Sequence, residues 1–431
     1  MPKLNATHNP EARSWVETAN DADCDFPIQN LPFGIFSTAG KKRVGTAIGN
    51  QILDLSVLEE AGLLRPSPST TVFNKPQLND FMALPQKVWS NTRHAIFDLL
   101  GIQNAKLRDN AGLCAKALIP MTSAVLHLPI FVRSFTDFYA SKEHASNVGA
   151  MFRGPDNALM PNWLHLPVGY NARASTVVVS GTEINRPCGQ LKGPNDENPR
   201  FAPCEKLDIE LELGAIVGTP SQMGTSLTTA EAYDMIFGYV ILNDWSARDI
   251  QTWEYQPLGP FQSKAFATTI SPWVITREAL EPFRTPTPTP IKPLLPYLQE
   301  HTPNNFNINM AVNLIPQDGP STTLSATNYK NMYYSSAQQL THHASSGCAM
   351  CTGDLLGSGT ISGPTKDSYG SLLEMTWGGK ETIQLTGGGT RSFIEDGDTL
   401  ELTAHCITSG YRVGFGTCRG KILPAIIEPD R

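Results

Sequence analysis

The chain has 431 residues, with 33 lysines and arginines against 40 aspartates and glutamates, and a formal net charge of −7. This mildly acidic balance has no basic block, which argues against nucleic-acid binding because phosphate contacts need clustered Lys and Arg. Only 17% of the residues are charged, whereas 35 are glycine and 33 are proline, so we expect a loop-rich globular protein of two or three domains.

The sequence predicts a cytoplasmic protein without a membrane segment. No apolar run approaches the roughly 20 residues that span a bilayer. Residues 1–8 contain no apolar stretch of the kind found in secretory signals. Eight cysteines scattered over a chain of this length are too sparse for a disulfide scaffold and are typical of a reducing compartment.

The first 122 residues predict a small α+β domain. Residues 43–55 indicate a hairpin that turns at Gly49 and Asn50. Apolar residues recur at helical spacing between Val88 and Leu100. Because this part contains no cluster of candidate catalytic groups, we interpret it as a structural domain or as an interface for a partner subunit.

Residues 123–431 indicate a β-rich domain, since short apolar segments alternate with Gly, Pro and Asn turns. The pattern Thr228-x-x-Glu231 predicts a capped helix start. Residues 284–296 are rich in proline, and each proline lacks the N–H group that a β-ladder needs. The segment is therefore predicted to be a surface excursion within the domain. The predicted strands cover residues 177–180, 207–217, 235–245, 270–274, 308–314, 372–377 and 399–403.

The most informative segment is 207–213, which alternates apolar and acidic residues without exception. A period of two places Asp208, Glu210 and Glu212 on one face of a strand, opposite a leucine and isoleucine face. Neighbouring carboxylates repel each other, and a divalent cation would remove that repulsion. The alternative is a solvated strand face whose charge blocks edge-to-edge pairing.

Two further polar clusters support a functional site. Asp137 and Tyr139 are followed closely by His144, and Asp244 ends an apolar stretch that is followed by Arg248, Gln251, Tyr255 and Lys264. Strand ends and the loops after them are where active sites gather. Each residue also has a plain structural reading: Asp244 as a helix cap, Arg248 as a surface ion pair, and His144 as an ordinary histidine.

Other motifs indicate what the protein is not. The glycine-rich residues 357–363 and 414–416 do not have the spacing of a dinucleotide-binding loop, and their glycines suit tight turns or close backbone approach. The chain has neither the GxSxG turn of serine hydrolases nor a phosphate-binding P-loop. His342 and His343 are interpreted as structural.

Taken together, these segments resemble the fumarylacetoacetase family over nearly the whole chain. The matching stretches are residues 26–37, 136–153, 157–175, 207–218, 241–274, 338–343, 353–364 and 410–425. The resemblance implies a mainly β (α+β) fold, with an SH3-like N-terminal domain over residues 1–122 and a mixed β-roll catalytic domain over residues 123–431. It also implies a cytoplasmic homodimer acting in tyrosine and phenylalanine catabolism.

The resemblance implies a cation site. Its ligands would be Asp137, Glu210, Glu212 and Asp244, whose hard oxygens favour Mg²⁺ or Ca²⁺, with Mn²⁺ as a third candidate, over zinc. A second, more distant cation position would involve Asp244, Lys264 and Thr268. Because a Lys ammonium has no lone pair to donate, we expect backbone carbonyls to serve there.

The resemblance also implies the catalytic residues. His144 would be the general base with Glu374, expected on the strand 372–377, as its partner; Arg248, Gln251 and Lys264 would stabilise the oxyanion. Substrate would contact Tyr139, Arg153, Tyr170, Gln251, Tyr255 and Thr360. The implied reaction is hydrolysis of a carbon–carbon bond in 4-fumarylacetoacetate, a small 1,3-diketo acid chelated by the metal, by water that His144 activates.

Two alternatives remain open at the level of sequence. One is another reaction of the wider superfamily, which includes decarboxylases, hydratases, isomerases and acylpyruvate hydrolases that share the carboxylates. The N-terminal domain and the pair His144 and Glu374 favour the hydrolase. The other is a metal-binding protein that has lost catalysis, which would require the loss of a catalytic residue that this chain retains.

Overall fold

The computed structural model describes residues 4–427. The start of the segment examined for a secretory signal and the last four residues of the predicted catalytic domain therefore lie outside the described residues. Among the helices of residues 4–427, none combines the length and the apolar character needed to cross a bilayer.

Strands dominate the fold. In chain order they are β1 Phe33–Thr38, β2 Lys41–Ile48, β3 Gln51–Asp54, β4 Leu118–Pro120, β5 Val125–His127, β6 Phe135–Phe138, β7 Gly169–Ala172, β8 Val177–Val179, β9 Ile184–Asn185, β10 Cys188–Leu191, β11 Arg200–Pro203, β12 Leu207–Asp208, β13 Leu211–Val217, β14 Ile236–Asp244, β15 Ser246–Ala247, β16 Thr268–Ile270, β17 Trp273–Thr276, β18 Arg284–Thr285, β19 Asn305–Phe306, β20 Asn309–Ile315, β21 Thr322–Asn328, β22 Leu355–Gly357, β23 Ile383–Gln384, β24 Thr390–Arg391, β25 Thr399–Ile407 and β26 Arg412–Leu423.

The helices are short, apart from two. They are α1 Leu55–Glu60, α2 Asn79–Met82, α3 Gln86–Leu100, α4 Ala105–Arg108, α5 Ala111–Ala117, α6 Lys142–Arg153, α7 Thr229–Met235, α8 Arg248–Glu254, α9 Gln262–Ala265, α10 Ser336–Ala344 and α11 Leu372–Met375. Short 3-10 helices lie at Ala6–His8, Glu17–Asn20, Met121–Ser123, Pro155–Asn157, Ala174–Thr176, Glu278–Phe283, Pro296–Leu298, Tyr329–Asn331 and Lys366–Ser368.

One large sheet joins the two parts of the chain. Its strand order is β4-β3-β2-β1-β17-β14-β13-β22-β6-β7, and β1 pairs antiparallel with β17. A five-stranded sheet, β21-β20-β25-β26-β9, lies against it, and the larger core fills the space between them. The predicted class, mainly β with α+β content and a larger β-rich part after the N-terminal part, is therefore confirmed.

Strand β14 separates two cores, which explains its unbroken apolar sequence. Tyr239 and Ile241 belong to the core between the sheets, whereas Val240 and Leu242 belong to the core under the N-terminal helices. A strand with both faces buried needs apolar residues at every position. The strand then ends in Asp244, at the functional site.

Most elements predicted from sequence are present. The hairpin at Gly49 is formed by β2 and β3, the predicted helix is α3, and the side chains of Thr228 and Glu231 both make the capping contacts that begin α7. Residues 284–296 form a ladder only at Arg284–Thr285. The strand predicted over 270–274 is two strands, β16 and β17, which Ser271 and Pro272 separate.

Two predictions about the site segments are corrected. Residues 372–377 do not form a strand, because Ser371 caps a turn of helix over Leu372–Met375 and Trp377 then has a φ of 50°. Residues 207–217 form two strands, β12 and β13, interrupted at Ile209 and Glu210. The solvated reading of the acidic face is wrong, since Asp208 and Glu212 are fully buried and Glu210 is 5% exposed.

Candidate active site and metal centre

Four carboxylates converge at one edge of the interior. Asp137 lies on β6, Glu210 just before β13, Glu212 on β13, and Asp244 at the end of β14. One carboxylate oxygen from each lies within 4.8 Å of the corresponding oxygens of the other three, and all four residues are buried. The sequence prediction that Asp137, Glu210, Glu212 and Asp244 share one place agrees with this geometry.

The sheet register brings these acids together. Glu212 lies opposite Leu242 in the β13–β14 pair, and Asp137 lies opposite Gly357 in the β6–β22 pair. Glycine at 357 leaves room for both carboxylates, because a Cβ atom there would lie 2.7 Å from Glu212 Oε2 and 3.0 Å from Asp137 Oδ1. The close backbone approach expected of the glycine-rich segment 357–363 is thus found at this residue.

Buried cations neutralise only part of this acidic cluster. Lys264 Nζ donates to Glu210 Oε2 at 2.6 Å and to Asp244 Oδ2 at 2.7 Å. Arg248 Nη1 pairs with Glu210 Oε1 at 2.7 Å. Asp137 Oδ1 and Glu212 Oε1, in contrast, accept no hydrogen bond from any described residue although both are buried.

The carboxyl pKa values follow from these contacts. Burial and the neighbouring carboxylates raise the pKa values of Asp137 and Glu212 well above their usual range, and burial raises that of Asp244. Burial would also raise the pKa of Glu210, but Lys264 and Arg248 outweigh it, so that pKa is lowered. Two carboxyls that cannot easily carry their charge need a further positive partner.

These residues fit a hard divalent cation. Unpartnered buried oxygens on Asp137 and Glu212, beside Glu210 and Asp244, supply an all-oxygen ligand set of the kind that Mg²⁺, Ca²⁺ and Mn²⁺ bind. The four carboxylates would hold the ion. Thr268, assigned to a second cation position, donates its hydroxyl to Asp244 Oδ1 at 2.8 Å, while the Lys264 ammonium forms the ion pairs described above.

His144 and Glu374 form a buried pair beside this cluster. His144 lies in the first turn of α6, and its Nδ1 lies 2.6 Å from Glu374 Oε2. Because a carboxylate only accepts hydrogen bonds, Nδ1 is the nitrogen that carries the proton in the neutral imidazole, which leaves the lone pair on Nε2. Burial would raise the pKa of Glu374, but His144 and the hydrogen bonds from Asn147 and Ser371 lower it, so the carboxyl is held ionised.

Three side chains that the sequence analysis did not single out hold Glu374 in place. Asn147 donates to its Oε1 at 2.9 Å, and the hydroxyls of Ser362 and Ser371 donate to its Oε2 at 2.9 and 2.8 Å. The spacing of Ser371 and Glu374, three residues apart, is that of a capping box and was the available signal. Asn147 is three residues after His144, and this helical spacing was the only sequence signal for its position beside Glu374.

A cavity of about 520 Å³ opens onto both groups. Its wall includes Asp137 and His144, the proposed oxyanion donors and every proposed substrate residue, namely Tyr139, Arg153, Tyr170, Arg248, Gln251, Tyr255, Lys264 and Thr360. Within residues 4–427, Arg248 Nη2 and Thr360 Oγ1 are buried without a hydrogen-bond partner. Arg153 instead donates to the backbone oxygens of Asn157 and Ala158.

Comparison with known proteins places the chain among relatives of one kind. Residues 29–129 match the family described as Fumarylacetoacetase N-terminal, and residues 133–423 match Fumarylacetoacetate (FAA) hydrolase C-terminal. The chain is 49% identical over 419 residues to the fumarylacetoacetase of Homo sapiens, covering 96% of this chain and 99% of that protein. It is 45% identical over 418 residues to that of Arabidopsis thaliana, with coverage of 96% and 99%.

Among solved structures, the protein Cg1458 in complex with an inhibitor has a similar fold. The TM-score is 0.50 at 14% sequence identity, and the match covers 92% of this chain and 100% of that one. At this identity the likeness concerns the fold alone. The two family matches and the identity to curated relatives over almost the entire chain show that it belongs to the fumarylacetoacetate hydrolase family.

Proposed function

We propose that this protein hydrolyses 4-fumarylacetoacetate to fumarate and acetoacetate, the last step of tyrosine and phenylalanine catabolism. The observation that carries the proposal is that one cavity is lined both by His144, whose Nδ1 is held by Glu374, and by Asp137 and Glu210 of the carboxylate cluster. Relatives named fumarylacetoacetase, 45% to 49% identical over 96% of the chain, support the same substrate.

His144 acts as the general base. With its Nδ1 proton directed at Glu374, the free Nε2 accepts a proton from water, and the oxygen attacks the carbonyl carbon beside the bond to be broken. The Glu374 carboxylate stabilises the imidazolium that forms. The electrons of the carbon–carbon bond then pass to the acetoacetate carbon, which takes a proton, so that one water is consumed for each fumarate and acetoacetate released.

Arg248, Gln251 and Lys264 supply the donors for the oxyanion. Arg248 Nη2 is the strongest candidate, since this buried N–H group has no partner in the described part of the chain. Gln251 Oε1 accepts from Arg248 Nη1 at 3.2 Å, which leaves the amide nitrogen of Gln251 as its donor. Donors fixed before the reaction stabilise developing charge without reorganisation.

Asp137, Glu210, Glu212 and Asp244 would hold the cation, with a second position near Asp244, Lys264 and Thr268. When bound, a divalent ion supplies Lewis-acid polarisation of the diketone oxygens. We propose Mg²⁺ or Ca²⁺ for the site, with Mn²⁺ as an alternative, because these ions prefer carboxylate oxygens.

The remaining polar residues of the cavity orient the substrate. We assign substrate contacts to Tyr139, Arg153, Tyr170, Gln251, Tyr255 and Thr360, with Arg153 facing a carboxylate group. Arg153 must release Asn157 and Ala158 to use its fork on a carboxylate. Its planar guanidinium suits that bidentate contact better than a lysine would.

We further propose domains over residues 1–122 and 123–431, a cytoplasmic location, and a homodimer that binds neither nucleic acid nor membrane. The N-terminal family match ends at residue 129 and the C-terminal match begins at residue 133, so both positions lie beyond the proposed boundary. The pairing of β1 with β17 means that both domains would share one sheet.

The test is to incubate purified protein with Mg²⁺ and 4-fumarylacetoacetate, follow loss of the diketone absorbance, and identify both products. His144→Ala should abolish turnover while Mg²⁺ binding, measured by calorimetry, persists. If His144→Ala protein turned over substrate as fast as wild type, His144 would not be the general base. Faster turnover of an acylpyruvate, or decarboxylation without acetoacetate release, would assign a different superfamily reaction.

A further inference from the structure

Asp208 is a buried carboxylate that the roles assigned above do not use. It belongs to the acidic alternation of β12 and β13 but lies outside the four-carboxylate cluster. Its Oδ1 accepts the N–H groups of Ile209 at 2.8 Å and Leu372 at 2.7 Å. Its Oδ2 accepts Arg248 Nε at 2.8 Å and the N–H of Leu373 at 2.9 Å.

The contact with Arg248 fixes the plane of its guanidinium. Asp208 holds Nε, Glu210 holds Nη1 at 2.7 Å, and Nη2 is the nitrogen left without a partner among the described residues. Because these two carboxylates hold two different nitrogens of the planar Arg248 guanidinium, the group has little freedom to rotate. Asp208 therefore helps to ensure that Nη2 is the nitrogen of Arg248 that remains available to contact the substrate.

The contacts with Leu372 and Leu373 fix the start of α11. These are the first two residues of the helical turn, and the next residue is Glu374, the partner of His144. A carboxylate that accepts both N–H groups stabilises this turn through charge-assisted hydrogen bonds. Leu373 also lines the cavity, so this turn contributes directly to its wall.

We propose that Asp208 is a positioning residue for the reaction, which makes this inference depend on the proposed function. One carboxylate connects an oxyanion donor, Arg248, to the turn that carries Glu374. The base and the donor act on the same carbonyl from different elements, and rates fall steeply when such groups move by about 0.5–1 Å. Asp208 keeps these two groups in a fixed relation.

The test is Asp208→Asn in the full-length protein. An amide places one NH₂ group either against Arg248 Nε and Leu373 N–H or against Ile209 N–H and Leu372 N–H, so donors oppose donors. We expect kcat for 4-fumarylacetoacetate to fall about 100-fold, the range for a lost oxyanion donor, with KM and the Kd for Mg²⁺ alone within about threefold.

Asp54→Asn is the matched control. Asp54 is a buried aspartate that pairs with Arg43 and accepts the N–H of Ser56 at 3.0 Å at the start of α1, away from the cavity. In each variant, a buried aspartate that pairs with an arginine and accepts N–H groups at the start of a helix loses its charge. Both substitutions should therefore lower the melting temperature. Only Asp208→Asn should lower kcat.

Four results decide the matter. A folded Asp208→Asn with kcat within about threefold of wild type, or the same kcat loss in Asp54→Asn, overturns the proposal. Should Asp208→Asn not fold, Asp208→Glu shifts both oxygens by one methylene, and unchanged kcat in that variant overturns it equally. The losses of Asp208→Asn and Arg248→Lys should not add in the double variant; full additivity would show that Asp208 does not act through Arg248.

A failure of the proposed function would look different, because wild-type protein would then leave 4-fumarylacetoacetate intact. Amide hydrogen exchange would still test the positioning role in that case. The N–H groups of Leu372 and Leu373 should exchange faster in Asp208→Asn than in wild type and stay protected in Asp54→Asn. Unchanged protection in Asp208→Asn would refute the link to α11.

Discussion

Replacing Glu374 with glutamine tests how the base is held. The substitution keeps the size of the side chain and removes its charge. In the protein, Glu374 Oε2 accepts His144 Nδ1 at 2.6 Å and the hydroxyls of Ser362 and Ser371, and its Oε1 accepts Asn147. With its oxygen toward His144, the introduced amide keeps that hydrogen bond but not the charge, and its NH₂ group then faces the Asn147 amide.

The expected loss follows from the charge-assisted bond. Such a bond stabilises by about 1.5–3 kcal/mol. The imidazolium that forms as His144 takes a proton needs this charge, whereas bound substrate does not, so the loss falls on the transition state. At about 1.36 kcal/mol for each factor of ten, kcat should drop roughly 10- to 150-fold, with KM changed less than about threefold.

The assay is steady-state hydrolysis of 4-fumarylacetoacetate at saturating Mg²⁺, followed by diketone absorbance. Glu300→Gln provides a matched control, because Glu300 is a half-buried carboxyl that accepts Ser335 Oγ at 2.5 Å and Asn304 Nδ2 at 2.8 Å, outside the cavity. Its kcat should stay at the wild-type value. A Glu374→Gln enzyme with wild-type kcat would refute the role of the His144–Glu374 pair.

Three further predictions concern the carboxylate cluster. Because the pKa values of Asp137 and Glu212 are raised in the absence of a cation, metal-free protein should lose stability as pH rises above the usual carboxyl range, and Mg²⁺ binding should release protons. Melting curves against pH measure the first effect, and calorimetry in buffers of different ionisation enthalpy measures the second. A Kd for Mg²⁺ that does not change with pH would contradict this prediction. Glu212→Gln should weaken Mg²⁺ binding by about tenfold or more while metal-free protein melts no lower than wild type, since a neutral amide avoids the cost of ionising a buried carboxyl whose pKa is raised; a lower melting temperature would count against it. Gly357→Ala should also weaken Mg²⁺ binding because its Cβ would lie 2.7 Å from Glu212 Oε2, whereas Gly112→Ala, whose added Cβ would lie 3.9 Å from its nearest neighbour, Asn110 Oδ1, should leave the Kd unchanged.

Much of the site could be predicted from the sequence because several of its residues belong to local, repeating patterns. The alternation over 207–213 marks a strand with carboxylates on one face, and Asp244 ends a run of apolar residues in β14. Periodicities of this kind are properties of single elements, so they survive without tertiary knowledge. Resemblance to the family then connected Asp137, His144 and Glu374 to that strand.

The strand predicted at 372–377 failed because its pattern is ambiguous over so few residues. A short apolar segment is compatible with strand or helix, and here Ser371 and Asp208 supply the hydrogen-bond acceptors that favour a helical turn. Asp208 lies 164 residues from Leu372 along the chain. Contacts across that distance leave no trace in local propensity.

Local sequence was enough to establish which residues carry charge and that Glu212 and Asp244 lie on strands, because side-chain chemistry and the two-residue period of a strand need no distant contacts. Which acids remain without a cation depended on the folded arrangement. Lys264 and Arg248 arrive from the helices after β14 and neutralise Glu210, Asp244 and Asp208, while Asp137 and Glu212 each keep a buried oxygen without a partner among the described residues. Burial makes that difference costly, since unpaired charge in an apolar interior must find a partner or a proton.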